Sequence, residues 1–518
     1  MSNKSIIIKD ATKNILANLI GLPVSLLSLL IVARYLGPEK TGITASAVTL
    51  VLTYSVMSHL GTLNALSIRY PYLIGKNTKE SLSEAEKMPD VILRFILVSA
   101  LICTIIISPF SIYYFLLNNN VWGFAFLTAL VLSILILFKT FSIFVLRGKN
   151  NFDAISNNTL LFFWTPITYV FAVKYFDLYG LWIAMIFAEV LITFDIFSKT
   201  KLKLKLNFKI NWVKTFKYIK IGMPVFFVAY FYEIFNTSDK LVTVYILGST
   251  ELGNYSIATL SARIISFFPV IVSTIMWPRI ASKIGENVKK SQILILVRAP
   301  TLLLSFSLPI VIGLLYFLTP VIITLILPKY VSGINAAQSV IFTIYFIGIM
   351  GMYTAYLSTS YKLKEFSVLI LIGLISYFLM IYFINTYLDI TILNISIARV
   401  LAFLFMSAIT VLYVEYILSN SLIIPIKSLV KLLLPIIYLL IVIKFLMPLI
   451  LFFSPADLGV HSSESELIKI IANQGILATQ FQNYYFLIIK VVTFSVFMIP
   501  LLFLAYKKLG FTNFKQLS

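Results

Sequence analysis

The sequence predicts an all-α integral membrane protein of about fourteen transmembrane helices, built as two six-helix bundles with two further helices at the C-terminus. Three observations predict it. Of 518 residues, 60% are hydrophobic and only 12% charged, with a mean hydropathy of +0.98, which leaves too little polar surface to cover a water-soluble globule. Apolar windows of about 20 residues, the length that crosses roughly 30 Å of hydrocarbon, recur along the chain. Between them the loops alternate between rich and poor in Lys and Arg.

The polar start, MSNKSIIIKDATK, leads into an apolar stretch without a small-residue cleavage pattern, so it reads as a retained first span. The spans centre near Ser25, Thr53, Cys103, Ser133, Ile167 and Phe187 in the first half. They resume near Tyr230, Ile265, Ser307, Phe346, Tyr377 and Leu404, and the two added helices near Leu440 and Ser495. The run at 291–330 is interrupted by Pro300, Pro309, Pro320 and Pro328. These spans divide the chain into a first bundle at 1–218, a second at 219–420 and a C-terminal pair with its tail at 421–518. Cys103 is the single cysteine and forms no internal disulfide.

The charges test this plan. With both termini cytoplasmic, Lys40, Lys174, Lys240, Lys329 and Lys469 fall at outer loops, and Arg34, Arg263, Arg399, Lys444 and Lys490 within spans. All the other basic residues gather on the inner side, including the run KTKLKLKLNFKINWVKTFKYIK at 199–220. A net charge of +21 and a pI near 9.7 are therefore a topology signal and not a nucleic-acid footprint.

Two stretches repeat a pattern. YLGPEKTGITASAVTL at 35–50 and ILGSTELGNYSIATLS at 246–261 align at Leu36 with Leu247, Gly37 with Gly248, Gly42 with Gly253 and Ala47 with Ala258. In each, a helix ends at a glycine free to adopt left-handed backbone, and a second begins after another glycine. They form outer hairpins between spans 1 and 2 and spans 7 and 8. Six spans separate them, so the two bundles share one orientation and their pseudo-two-fold axis is expected along the membrane normal. The expected site is the cavity between them.

SDKLVTVYILGSTELGNYSIA at 238–258 resembles the pattern Asp, basic residue, apolar run, Leu-Gly, four residues, Gly-x-Tyr-x-x-Ala of polysaccharide flippases, through Asp239, Lys240, Leu247, Gly248, Gly253, Tyr255 and Ala258. RYLGPEKTG at 34–42, VLRGKNNFDAIS at 145–156 and LILPKYVSGINAAQSV at 325–340 are similar to further segments of the same family, the oligosaccharide flippases (Wzx-type) of the multidrug, oligosaccharidyl-lipid and polysaccharide (MOP) exporter superfamily. The likeness extends over nearly the whole chain, with Leu327 standing where related segments carry glycine. The resemblance implies a flippase in the cytoplasmic membrane that turns a polyprenyl-diphosphate-linked oligosaccharide from the inner to the outer leaflet by alternating access. It also implies membrane lipids as surroundings, and polymerase and export proteins of a polysaccharide pathway as partners.

Such a cargo needs cations within the membrane. Arg263, near the middle of span 8, is either a bidentate grip on phosphate oxygens or half of a buried ion pair with Glu233 of span 7. Arg399 in the outer half of span 12 is a second substrate-binding candidate. Arg34, at the outer end of span 1, either contacts substrate or snorkels to the headgroups. Asp239 and Lys240 match the family motif beside the outer hairpin, where an interfacial pair is the alternative. His59 offers either proton exchange or hydrogen-bonded packing, and Glu189 and Asp195 either ion coupling or pairing with nearby lysines. The aromatic runs at 226–235 and 353–361 suit sugar stacking or helix packing.

No G-x-x-x-x-G-K-[ST] loop occurs, so no cofactor is expected and any drive comes from a proton or sodium gradient or the membrane potential. No His, Cys and carboxylate cluster has metal-ligand spacing. The alternatives are a lipid II flippase, a multidrug cation antiporter of the same superfamily, or a membrane glycan polymerase or ligase. The longest outer loop, about 453–483, offers a polymerase only Asp457, His461, Glu464 and Glu466, without a paired-carboxylate or nucleophile arrangement.

Overall fold

A backbone surrounded by lipid has no water to bond, so the apolar windows must satisfy their own amides, and helices do this within one segment. The computed structural model describes residues 3–76, 78–149, 151–202, 210–286, 288–452, 491 and 494–500. Its helices are α1 (Asn3–Ser58), α2 (Thr62–Lys76), α3 (Lys79–Leu116), α4 (Asn120–Gly148), α5 (Phe152–Thr200), α6 (Trp212–Gly285) and α7 (Lys290–Ile326). After a 3-10 segment at Pro328–Gly333 come α8 (Ile334–Val340), α9 (Thr343–Thr359), α10 (Leu363–Tyr387), α11 (Ile392–Ser419) and α12 (Ile423–Phe452). Lys469, Lys490, the outer-loop residues Asp457, His461, Glu464 and Glu466, and residues 203–209 of the basic run lie outside the described residues.

Among the described residues ten helices are long and apolar enough to cross a membrane. Three of them, α1, α5 and α6, each contain a non-helical residue, at Gly37, Asp177 and Gly248. Unbroken, the 56 residues of α1 would reach about 84 Å, far beyond one bilayer. Counted as two limbs each, the three broken helices raise the ten to thirteen crossings, and the helical residues 494–500 fall where the fourteenth is expected. The chain is thus an all-α, multi-pass membrane protein. The proline-rich run forms one continuous helix, α7, with Pro300, Pro309 and Pro320 inside it. Leu327 takes φ −129°, backbone open to any residue, so its turn needs no glycine.

Contacts divide the chain into two compact units, 1–257 with 363–395, and 258–362 with 396–518. In the first, Val32, Ile43 and Val51 of α1 pack with Ala129 of α4 and Leu181 and Trp182 of α5. A second cluster joins Leu66 and Tyr70 of α2 to Met88 and Ile92 of α3, Phe141 of α4 and Tyr218 of α6. The outward surface stays apolar, with Phe171, Tyr175, Ile183 and Phe194 all exposed, as a lipid-facing wall requires. In the second unit, Ala398, Ala402 and Met406 of α11 are fully buried at helical spacing, and the two alanines are small enough to allow close approach.

Candidate functional site

Three breaks meet at one end of the first unit. α1 turns at Gly37 (φ 76°, ψ 174°) and α6 at Gly248 (φ 86°, ψ −178°). Positive φ brings a β-carbon against the next carbonyl, so both positions favour glycine. Five residues on, the second glycine of each stretch meets the other turn. A methyl group on Gly42 would overlap the Ser249 carbonyl oxygen, and one on Gly253 the Pro38 carbonyl oxygen. The twin turns therefore pack backbone against backbone. The same device recurs between α1–α2 and α6, where a methyl on Gly222 would overlap the Gly61 carbonyl.

The turns are tied down differently. Lys40, just past the first, pairs with Asp177 at the third break, and the Trp182 indole N–H donates to the Thr44 hydroxyl at 3.3 Å. The second is tied internally, for the Tyr255 hydroxyl donates to Asp239 Oδ2 at 2.6 Å with both side chains buried. Asp239 and Tyr255 stand 16 residues apart in the chain and meet because Gly248 folds the two limbs of α6 together. Lys240 follows in sequence and is half-buried, two turns from Glu233 along the same face of α6.

Arg34 lies exposed three residues before Gly37, at the level of the turns. Arg399 projects from α11 with its guanidinium carbon 5.4 Å from the Phe403 ring centroid. Arg263 lies 15 residues beyond Gly248, about 22 Å along the second limb of α6. Its side chain is exposed and has no hydrogen-bond or ion-pair partner among the described residues. An arginine within an apolar helix is retained where it meets water or an anion, and its planar fork suits two phosphate oxygens. Arg34, Glu233, Asp239 and Lys240 belong to the first unit, Arg263 and Arg399 to the second.

His59 is buried where α1 ends, its Nδ1 accepting the Gly61 N–H at 3.2 Å and its ring edge-on to Phe226, which is hydrogen-bonded packing. Glu189 pairs with Lys139 of α4, while Asp195 accepts from Lys199 at 2.8 Å and from Asn158 at 3.1 Å. Phe226 stacks on Tyr230 and Phe227 on Phe231 along the first limb of α6.

Sequence reasoning missed the most completely buried charge in the second unit. Glu415 of α11 is fully buried and takes a two-pronged bond from Arg298 of α7, Nε to Oε1 at 2.8 Å and Nη2 to Oε2 at 2.6 Å. The Tyr353 hydroxyl of α9 donates to the same carboxylate at 2.8 Å. The available signal was one charge in each of two apolar runs, LILVRAPTL and VLYVEYIL. The three groups satisfy one another and hold three helices together.

Residues 31–335, more than half of the chain, match the family model described as "Polysaccharide biosynthesis protein". No match arises among curated protein sequences. Among solved structures, the lipid II flippase MurJ in an inward closed conformation is similar over 95% of this chain and 98% of its own, at 15% identity and a TM-score of 0.68. An inward-facing multidrug resistance MATE family transporter of the MOP superfamily is similar over 77% of this chain and 94% of its own, at 16% identity and a TM-score of 0.59. Its outward-facing counterpart covers 80% of this chain and 96% of its own, at 16% identity and a TM-score of 0.53. These likenesses establish a shared all-α fold.

Proposed function

The chain belongs to the polysaccharide biosynthesis protein family, and from that premise we propose that it is a flippase. Its cargo is a polyprenyl-diphosphate-linked oligosaccharide, carried from the inner to the outer leaflet of the cytoplasmic membrane by alternating access. The observation that carries the reading is Arg263, a guanidinium without a protein partner among the described residues, exposed from the second limb of α6. A permanently charged fork at that depth recognises an anionic head and repels a cation, so it favours a diphosphate-linked cargo over a cationic drug. Arg34 in the first unit and Arg399 in the second are further candidate cargo contacts, and Glu233 and Lys240 lie two turns apart on one face of α6. Asp239 acts through Tyr255, fixing the second turn.

The glycine contacts between the twin turns supply the moving part. Backbones in van der Waals contact without interlocking side chains can separate and re-form, as a gate at that end of the membrane must. The drive is an ion gradient or the membrane potential, and the protein performs no covalent chemistry. A lipid II cargo is the second reading, because the MurJ likeness covers the C-terminal helices as well.

The test is mass spectrometry of lipid-linked glycans in cells depleted of the protein. Depletion is expected to accumulate a diphosphate-linked oligosaccharide, and Arg263→Ala to reproduce that accumulation while remaining inserted. Accumulation of the lipid-linked peptidoglycan precursor instead would establish the second reading. Unchanged lipid-linked pools would refute both.

A further inference from the structure

A groove of about 890 Å³ opens along the first limb of α6 where it meets the start of α10, within the first compact unit. Its wall on α6 runs through Phe216, Met223, Phe227 and Phe231, one stripe at helical spacing. Lys220 of α6 and Lys364 of α10 also line it. Neither lysine has a hydrogen-bond or ion-pair partner among the described residues, whereas Lys217, one turn earlier on another face, is bonded to Glu84 at 2.8 Å. Two uncompensated cations thus sit in an apolar trough.

The depth of the groove defines the length of its occupant. Lys220 and Lys240 bracket 20 residues of α6, about 30 Å, which matches the hydrocarbon thickness. Lys220 therefore sits at the boundary between headgroup and hydrocarbon, at the end opposite the glycine turns. Phe231 lies 11 residues further, about 16 Å, at the bilayer midplane. The trough spans one leaflet, with its cations at phosphate level and aromatic rings along the chain region. A cationic amphiphile is repelled here, and a free anion gains nothing from the apolar wall.

The geometry points to a binding site for an anionic phospholipid of the basic-side leaflet, its phosphate between Lys220 and Lys364 and one acyl chain along α6 to Phe231. Basic pockets between transmembrane helices are built for this class of headgroup. The occupant ties α6 to α10, and it is separate from the flipped cargo.

Native mass spectrometry of the full-length protein, offered dioleoyl phosphatidylglycerol or dioleoyl phosphatidylcholine, tests the assignment. The protein is expected to retain phosphatidylglycerol preferentially. Each lysine at the surface contributes about a fivefold preference, so Lys220→Gln with Lys364→Gln should lower it about 25-fold. Met223→Trp, which fills the trough, should lower retention of both lipids while the thermal transition persists. Equal retention of the two lipids by the wild type, or an unchanged preference in the double variant, would overturn the site. Displacement of phosphatidylglycerol by equimolar polyprenyl phosphate would reassign the groove to the cargo and overturn it as well.

Discussion

The two glycine turns carry nearly the same backbone, φ 76° at Gly37 and φ 86° at Gly248, yet they are anchored in different ways. The first reaches outward, through the Lys40–Asp177 ion pair and the Trp182–Thr44 hydrogen bond, to the break in α5. The second is closed on itself by the buried Asp239–Tyr255 bond. One turn is thus tied to α5 by an exposed pair and the other across its own two limbs by a buried bond, although a single repeated pattern writes both. The difference teaches that the glycines the two stretches share specify backbone shape, while side chains they do not share, such as Lys40 and Tyr255, set the anchoring.

Five substitutions break or sharpen this comparison. The largest effect is expected from Gly42→Ala and Gly253→Ala, since each β-carbon overlaps a carbonyl oxygen of the opposing turn. Both should abolish the cooperative thermal transition of the purified protein or separate the turns, read as new reactivity of a cysteine placed at Ser249. Next, Tyr255→Phe leaves the Asp239 carboxylate without this buried donor and should cost about 1–3 kcal/mol in thermal unfolding. Gly248→Ala meets nothing within 4 Å and bears only the strain of its positive-φ, extended-ψ backbone, about 1–3 kcal/mol by the same measurement. The smallest is Lys40→Ala, at an exposed pair, with under about 1 kcal/mol of stability and a further decrease of that effect in high salt. If Lys40→Ala proves as damaging as Tyr255→Phe, the distinction between an exposed and a buried tie fails.

Much of this was legible in the sequence. Hydropathy windows located the spans because crossing length is fixed by the bilayer, and Gly37 and Gly248 announced their turns because left-handed backbone favours one residue type. The break at Asp177 was not announced, since φ 55° there is carried by a residue that occurs equally within loops and caps. The Arg298–Glu415 bond was hidden for another reason. Its partners are 117 residues apart, and a helical period reveals which face a residue occupies but not which helix it meets. Asp239 shows the opposite case: its motif placed it correctly at the hairpin, and only the coordinates gave it Tyr255 as partner. The prolines of α7 read as interruptions because, in water, proline ends helices, whereas neighbouring helices in a membrane supply the lost bonding.

The central claim is that a cation exposed within α6 lets an acidic glycolipid head cross the bilayer. The direct measurement is leaflet exposure in sealed vesicles: purified protein is reconstituted with a labelled polyprenyl-diphosphate oligosaccharide, and outer-leaflet sugar is followed with a membrane-impermeant enzyme. The account predicts protein-dependent exposure that Arg263→Ala abolishes and Arg263→Lys partly restores. Equal exposure with the wild type, Arg263→Ala and protein-free vesicles would contradict it.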